Sequence, residues 1–171
     1  MIRLSLLVLC LLTAGCALAP LTGPQTYQDG SMSFSVPAQW KVTMYGRGGG
    51  CGHAFVEAPG EAIVYIKGFP LTKDPGLPKY ARDFSHTANS WTPLGKITSQ
   101  GFQNMTDKRF GAGLKEPFTI SFRSVEVPHT RIYRKQTGSH CVFYLLTQVA
   151  DEDAASAEPG FRQILQSFSA K

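Results

Sequence analysis

The sequence lacks the short motifs that identify the common enzyme classes. It contains no G-x-S-x-G nucleophile elbow, no GxxxxGK(S/T) phosphate loop and no G-x-G-x-x-G dinucleotide-binding motif. It also lacks internal repeats and any apolar run of about 20 residues, the length that spans a bilayer as a helix. These absences leave no residue to which catalysis can be assigned, and we predict that the protein is not an enzyme.

The amino-terminal segment resembles the signal segment of a bacterial lipoprotein. Arg3 supplies a positive charge, and residues 4–12 form an apolar stretch of signal-peptide length. The stretch runs into Thr13-Ala14-Gly15-Cys16, which resembles a lipobox except that Thr13 replaces the usual leucine. The resemblance implies that the chain is cleaved before Cys16 and that lipid attached to this cysteine anchors the protein in a membrane.

The lipoprotein hypothesis divides the chain into three parts. Residues 1–15 are a signal peptide, residues 16–26 are the lipidated terminus and a tether rich in proline and glycine, and residues 27–171 are a single domain. Ala17, not aspartate, follows the cysteine. By resemblance to lipoproteins of Gram-negative bacteria, this implies the outer membrane, with the domain facing the periplasm. Ordinary secretion, with cleavage after Ala17 or Ala19, remains the alternative.

The composition is that of a globular protein with a mild positive charge. Hydrophobic residues make up 43% of the chain and charged residues 17%. Removal of Arg3 with the signal peptide leaves 16 Lys and Arg residues against 12 acidic residues. An excess of this size suits a protein near anionic envelope polymers, and it does not indicate nucleic-acid binding.

Two cysteines remain in the domain, Cys51 and Cys141, once Cys10 leaves with the signal peptide and Cys16 carries lipid. An exported protein folds in an oxidising compartment, where cysteine pairs form disulfides. We therefore predict a Cys51–Cys141 disulfide.

The alternative for these cysteines is a metal site of the Cys2His2 type with His53 and His140. Adjacent residues of a strand point to opposite faces, so His140 and Cys141 cannot both reach the other two residues. Oxidised cysteines are not thiolate ligands either. We predict no metal or other cofactor. If a metal site does exist, His53 and His140 are its candidate ligands.

Alternation of apolar and polar residues predicts strands through most of the domain. The predicted strands are residues 32–36, 40–44, 54–58, 62–69, 94–102, 108–114, 118–127, 130–136 and 139–150. Pro128 is expected to break the seventh, and Thr137-Gly138 to form a hairpin turn between the last two. Residues 141–146 are apolar on both faces, which indicates a central strand. The glycine-rich residues 46–50 are expected to form a flexible hairpin loop.

Two amphipathic helices complete the pattern. Apolar residues at helical spacing mark each helix: Leu77, Ala81, Phe84, Ala88 and Trp91 in the first, which Thr92-Pro93 ends, and Phe161, Ile164, Leu165 and Phe168 in the second. Ser156 is expected to cap the second helix. The elements together predict an α+β fold, with a mainly antiparallel β-sheet and helices packed on its faces.

Two terminal motifs resemble those of PsbP-like domains. The opening F-x-(V/Y)-P-x-x-W is matched by residues 34–40, FSVPAQW, and the closing F-x-x-I-L-x-S-F by residues 161–168, FRQILQSF. This group includes the photosystem subunit PsbP and bacterial DcrB-like lipoproteins. The resemblance implies an antiparallel sheet sandwiched by helices and a role in binding or assembly without catalysis. It assigns no functional residue to this chain.

Basic residues are concentrated in residues 108–135. They are Lys108, Arg109, Lys115, Arg123, Arg131, Arg134 and Lys135, against the acidic residues Glu116 and Glu126. One interpretation is a set of solvated strand faces. The other is a surface that contacts an acidic envelope protein or glycan. Arg131 and Arg134 are separated by an odd number of residues, so they are expected to face opposite ways in a strand.

The sequence leaves three functional hypotheses open. The first is a membrane-anchored, non-enzymatic binding or assembly factor for an unidentified envelope partner, which predicts no buried cluster of titratable groups. The second is an envelope enzyme or metal-dependent factor built around His53 and His140. The third is a carrier of a small ligand, with a pocket between the sheet and a helix.

The lipoprotein hypothesis makes a direct prediction about Cys16. Replacement of Cys16 by serine removes the thiol that accepts lipid, so the variant is expected to leave the membrane fraction and to lack the mass of the acyl chains. Fractionation and intact-mass measurement check this result. A Cys10→Ser variant is the control and is expected to keep the membrane association of the wild type. Unchanged size and association in Cys16→Ser would contradict lipidation.

Overall fold

The structure, a computed structural model, describes residues 23–90 and 95–171. The predictions about the signal peptide, lipidation of Cys16 and the helix end at residues 91–93 lie outside the described residues. No helix in the described ranges is long and apolar enough to cross a membrane.

The described residues form eleven strands and two α-helices. The strands are β1 (Gln25–Gln28), β2 (Met32–Val36), β3 (Lys41–Gly48), β4 (Cys51–Glu57), β5 (Ile63–Pro70), β6 (Lys96–Ser99), β7 (Gln103–Asp107), β8 (Gly111–Phe122), β9 (Val125–Thr137), β10 (Cys141–Ala150) and β11 (Ser169–Ala170). The helices are α1 (Leu77–Ser90), which follows β5, and α2 (Ala154–Ser167), which follows β10.

The strands form two antiparallel sheets. In the part of the chain that the structure describes, the larger sheet has eight strands in the order β3-β4-β5-β10-β9-β8-β6, and β7 pairs with β8 beside β6. The smaller sheet has the order β1-β2-β11. The predicted α+β class, with a mainly antiparallel sheet and packed helices, is therefore confirmed.

Strand β10 lies in the middle of the large sheet and is buried on both faces. Its side chains alternate between two apolar clusters, as the period of a strand requires. Cys141, Phe143 and Leu145 belong to the cluster on one face, which we call the first face. Val142, Tyr144 and Leu146 belong to the cluster on the other, the second face. The prediction of a central strand at residues 141–146 is confirmed.

The first face is covered by β2 and α2, which carry the two terminal motifs. The ring of Trp40 meets that of Phe161 edge-on, with centroids 5.4 Å apart. Gly160 makes this approach possible, because a Cβ at that residue would lie 2.1 Å from the Trp40 ring. The Ser35 backbone N–H donates a hydrogen bond to Ser167 Oγ at 2.8 Å. The opening and closing motifs are thus parts of one packing unit.

The second face is covered by α1. The Tyr80 ring stacks on that of Tyr144 with centroids 4.2 Å apart. The loop before α1 is held by Asp74, which accepts hydrogen bonds from Lys135 Nζ at 2.6 Å and from the Tyr144 hydroxyl. The hydrogen bond from Lys135, followed by that from Tyr144, lowers the pKa of Asp74 to about 2. This carboxylate therefore fixes the start of α1 on the sheet.

Two turns differ from the sequence-based expectations. Only Gly49 and Gly50 form the glycine-rich turn, with φ of +61° and +87°, whereas residues 46–48 belong to β3. Glycine tolerates this left-handed backbone, which suits a two-residue hairpin. The strand predicted at residues 118–127 is interrupted by a second two-residue turn, in which Arg123 has φ of +54°.

Three smaller expectations are also wrong. Pro128 lies inside β9, just beyond the last pair with β10, where one side of the strand has no neighbour and a missing N–H is tolerated. Strand β1 begins at Gln25, so the last two residues of the predicted tether belong to the folded domain. Helix α2 begins at Ala154, and Ser156 lies in its first turn, where its hydroxyl donates to the Asp153 carbonyl.

The predicted Cys51–Cys141 disulfide is confirmed. It joins residues 90 apart in the sequence, with their Cα atoms 6.0 Å apart. The bond links β4 to β10 across the intervening β5. Gly68 of β5 leaves room for it, because a Cβ at that residue would lie 2.8 Å from Cys51 Cβ.

Loss of this disulfide is expected to destabilise the fold. Closing a loop of this length restricts the unfolded chain, which contributes up to about 4–5 kcal/mol to the free energy of unfolding. A Cys51→Ser/Cys141→Ser variant should show a loss approaching this size in urea unfolding. Reductant should lower the stability of the wild type and leave that of the double variant unchanged. Equal stability of both proteins without reductant would contradict a structural role for the bond.

Candidate ligand cavity between helix α1 and the sheet

A cavity of about 570 Å³ lies between α1 and the second face of the large sheet. Its walls come mainly from strands β3, β4 and β5 on one side and from α1 on the other. Most of the lining is apolar or aromatic, and it includes Met44, Phe55, Ile63, Tyr65, Phe69, Tyr80, Phe84, Ile97 and Ile120. A volume of this size falls in the range of about 300–1,000 Å³ that is typical of small-molecule sites.

Aromatic rings hold the walls of the cavity in place. The Tyr65 ring lies between those of Phe55 and Phe84, with centroid distances of 6.2 Å and 5.8 Å. Phe69 meets Tyr80 edge-on at 6.1 Å. Such contacts favour tilted and edge-to-face geometry and restrict ring rotation. The cavity is therefore bounded by side chains that support one another.

The Tyr80 hydroxyl is an unsatisfied polar group in this wall. Tyr80 is 7% exposed, and its oxygen is buried without a hydrogen-bond partner in the described structure. Burial, followed by the nearby Tyr65 and Tyr144 hydroxyls, raises the pKa of Tyr80 well above its usual range, so the group remains a neutral donor. A buried polar group without a partner is unfavourable by about 1–3 kcal/mol.

A buried arginine lies in the wall near β9. Arg131 is 2% exposed, its Nε donates to Gln148 Oε1 at 2.6 Å, and its guanidinium lies 4.0 Å from the centre of the Phe118 ring. Both Arg131 and Gln148 contribute to the lining. The guanidinium is thus held in one orientation by a hydrogen bond and a cation–π contact.

Glu116 balances the charge of this arginine. The carboxylate is fully buried and accepts hydrogen bonds from Ser85 Oγ at 2.6 Å, the Tyr133 hydroxyl at 2.5 Å and Arg131 Nη1 at 3.5 Å. Burial, followed by the hydrogen bond to Glu116, raises the pKa of Tyr133. The expectation that a binding protein of this kind contains no buried cluster of titratable groups is therefore wrong.

The structure separates the basic residues that the sequence groups together. Arg131 is buried on the second face, and Arg134 is buried beside Phe110 on the opposite face, with its guanidinium 5.1 Å from the ring centre. The expectation that they face opposite ways is confirmed. The prediction that Arg131 and Arg134 contribute to a partner surface is wrong, because burial removes them from contact with a partner.

The remaining candidates for that surface are dispersed. Lys108 and Arg109 lie in the turn before β8, and Arg123 lies in the turn after it, at the opposite end of a strand of 12 residues. Lys135 forms an ion pair with Asp74 at 2.6 Å. A role of these four residues in partner binding stays a prediction, but they do not share one patch.

The two metal candidates do not share a site with the cysteines. Cys51 and Cys141 are joined as a disulfide, which removes their thiolates. His53 lies within β4, whereas His140 is exposed in the loop before β10. In residues 23–90 and 95–171, no group of three or more His, Cys, Asp or Glu side chains could hold a metal ion.

The buried ion pair has a signal in the sequence. Glu116 shares a strand face with Leu114 and Phe118, and Arg131 shares one with Tyr133. A charge at an apolar position of a strand predicts burial with a partner, since an unpaired charge is not tolerated there. A sum of the charges in residues 108–135 treats these two residues as surface charges, so it does not reveal that they occupy apolar strand positions.

Comparison with known proteins identifies the fold. No protein-family model and no curated protein matches the chain. The solution structure of cyanobacterial PsbP (CyanoP) from Synechocystis sp. PCC 6803 matches with a TM-score of 0.53 and 10% identity, over 93% of this chain and 99% of that one. The PsbP-like fold implied by the terminal motifs is therefore confirmed.

Two further solved structures match more distantly. LpqN of Mycobacterium tuberculosis, described as involved in cell envelope biogenesis, matches with a TM-score of 0.44 and 13% identity, over 85% of this chain and 88% of that one. PA94 of Pseudomonas aeruginosa, a protein of unknown function, matches with a TM-score of 0.40 and 10% identity, over 87% of this chain and 98% of that one.

Replacement of Arg131 tests the buried ion pair. Arg131→Met leaves the Glu116 carboxylate buried without its cation, and the free energy of unfolding is expected to fall by about 3–5 kcal/mol. Adding Glu116→Gln to this variant removes the uncompensated charge and should restore part of the loss. Arg82→Met, at an exposed position of α1, is the control and should change stability by less than about 0.5 kcal/mol.

Urea unfolding of the wild type, Arg131→Met, Glu116→Gln and the double variant measures the coupling between the two residues. Additive effects of Arg131→Met and Glu116→Gln, without any recovery in the double variant, would contradict a coupled pair.

Proposed function

We propose that the protein is a lipid-anchored, non-enzymatic binding protein of the bacterial envelope that holds a small apolar ligand in the cavity beneath α1. The anchor at Cys16 places it on the outer membrane, facing the periplasm. The observation that carries the proposal is the aromatic cavity of about 570 Å³, whose wall contains the unpartnered Tyr80 hydroxyl. A bound apolar ligand would cover the apolar surface of this cavity.

The chemistry around the cavity supports binding over catalysis. Glu116 is the buried carboxylate to consider as a general base. Both of its oxygens already accept hydrogen bonds, however, and the carboxylate is fully shielded from solvent. A general base needs hydrogen-bond reach to the proton that it removes. Glu116 instead compensates Arg131, and this role is structural.

A docking site for an envelope protein or acidic glycan is the second candidate. The exposed residues Phe122 and Val125 flank Arg123 at the turn between β8 and β9, which favours contact with another molecule there. The other exposed cations, Lys108 and Arg109, lie at the far end of β8. Because electrostatic attraction weakens beyond about 10 Å in physiological salt, these cations do not act as one surface.

Partial filling of the cavity is expected to weaken ligand binding. Ala88 is half-buried and lines the cavity, so Ala88→Phe would occupy part of its volume. Fluorescence titration with the neutral apolar probe N-phenyl-1-naphthylamine should show saturable binding to the wild type and at least about tenfold weaker binding to the variant, a change of about 1.4 kcal/mol. His86→Phe adds the same ring at an exposed residue outside the lining and is the control.

Circular dichroism and urea unfolding must show that Ala88→Phe keeps the fold. Absence of saturable binding to the wild type, or equal binding by Ala88→Phe and His86→Phe, would overturn the proposal.

A further inference from the structure

The cavity has a cation at its rim. Lys67 of β5 contributes to the lining, and its amine reaches toward Gly48 of β3. Long basic side chains commonly lay their methylene groups against apolar surface while the amine stays near water. Lys67 is opposite His53 of β4 in the register of the sheet. The apolar cavity and a polar rim are therefore joined through one side chain.

Two glycines of β3 let the His53 ring and the Lys67 amine lie close to the backbone at this rim. A Cβ at Gly48 would lie 3.9 Å from both His53 Nδ1 and Lys67 Nζ. A Cβ at Gly46 would lie 3.3 Å from His53 Cε1 and Nε2. The backbone of β3 thus passes over the imidazole and the amine without side chains of its own. We call the part of the rim formed by Gly46, Gly48, His53 and Lys67 the glycine notch.

Two side-chain groups of the glycine notch, the Lys67 amine and His53 Nδ1, lack a partner among the described residues. The ion pairs in the described parts of the chain do not include Lys67. His53 Nδ1 is buried without a hydrogen-bond partner. The carboxylate of Asp83, which also contributes to the cavity, is paired with Lys79 at 2.6 Å. The notch is therefore a place of positive charge that the protein does not neutralise.

The second cation of the cavity differs from Lys67 in this respect. Arg131 is compensated by Glu116 and donates to Gln148. The cavity accordingly has one neutralised cation in its wall and one unpaired cation at its rim. A negatively charged group at Arg131 would compete with Glu116. At Lys67 the same group would meet no competing protein carboxylate.

We propose that the natural ligand is an amphiphile with one anionic group, a carboxylate or a phosphate, which Lys67 binds at the glycine notch while the apolar part fills the cavity. This inference rests on the proposed function and adds the chemical class of the ligand. Charge-assisted hydrogen bonds to an ammonium group are about twice as strong as neutral ones, particularly where water is partly excluded.

Matched ligands test the charge requirement. Dodecanoate, dodecyl phosphate and dodecanol carry the same apolar chain. Each is titrated against N-phenyl-1-naphthylamine bound to the purified protein, the anions below their critical micelle concentrations and dodecanol below its aqueous solubility. The wild type is expected to bind at least one of the two anions about tenfold more tightly than dodecanol. The better anion identifies the head group as carboxylate or phosphate.

Variants of Lys67 test the residue. Lys67→Gln removes the charge and keeps a polar side chain that is one atom shorter, so it should abolish the preference for the anion while leaving dodecanol binding unchanged. Lys67→Arg should keep the preference. Lys73→Gln, at an exposed lysine outside the cavity, is the control and should behave as the wild type.

The outcomes separate this inference from the proposed function. Binding of the neutral probe and of all three ligands with equal affinity would overturn the anionic class and leave the cavity as a binding site. A preference that persists in Lys67→Gln would overturn the role of Lys67. Failure of the wild type to bind the neutral probe would overturn the proposed function itself.

Discussion

The burial of β10 on both faces is the constraint on which the rest of the structure depends. A strand with large apolar side chains on both faces cannot leave either face open to solvent. Each fully buried Val, Leu or Phe side chain contributes about 1.5–3 kcal/mol only if another layer covers it. Strands β5 and β9 flank β10 within the sheet, and separate layers must lie above and below it. The order of layers in the fold follows from this requirement.

The two coverings are unequal, and the difference creates the cavity. The first face receives both α2 and the small sheet, whose contacts include the Trp40–Phe161 pair. The second face receives α1. A helix about 10 Å wide covers roughly two strands at their spacing of about 4.8 Å, whereas the large sheet is several strands wide. The aromatic residues of β4 and β5 beside α1 are therefore only partly covered, and the cavity results.

The sequence predicts the parts of this fold that depend on local pattern. The apolar run at residues 141–146 predicts the central strand β10, and the helical spacing of Leu77 and Phe84 predicts α1. The terminal motifs predict the elements that cover the first face. The disulfide follows from the predicted oxidising compartment and from the number of cysteines. These features depend on period and composition, which are visible along the chain.

Features that depend on distant partners are not visible in the same way. Pro128 lies in a strand because β10 has ended beside it, and residues 46–48 continue β3 because β4 pairs with them. Strand β7 was missed because its residues have no apolar alternation and are held by β8. The cavity itself needs the positions of three strands and a helix. Local preference gives little information where pairing decides the structure.

The distribution of charge around the cavity connects its stability with its selectivity. Glu116 is required because Arg131 is buried, and the hydrogen bonds from Ser85 and Tyr133 make that carboxylate stable without water. The pair therefore contributes a rigid, neutral wall. Lys67, by contrast, has no carboxylate, and its charge remains available at the rim. Arg131 is neutralised inside the protein and Lys67 is not, so the electrostatic field across the cavity is asymmetric. In the proposed complex, this field orients the amphiphile with its anionic head group at the glycine notch.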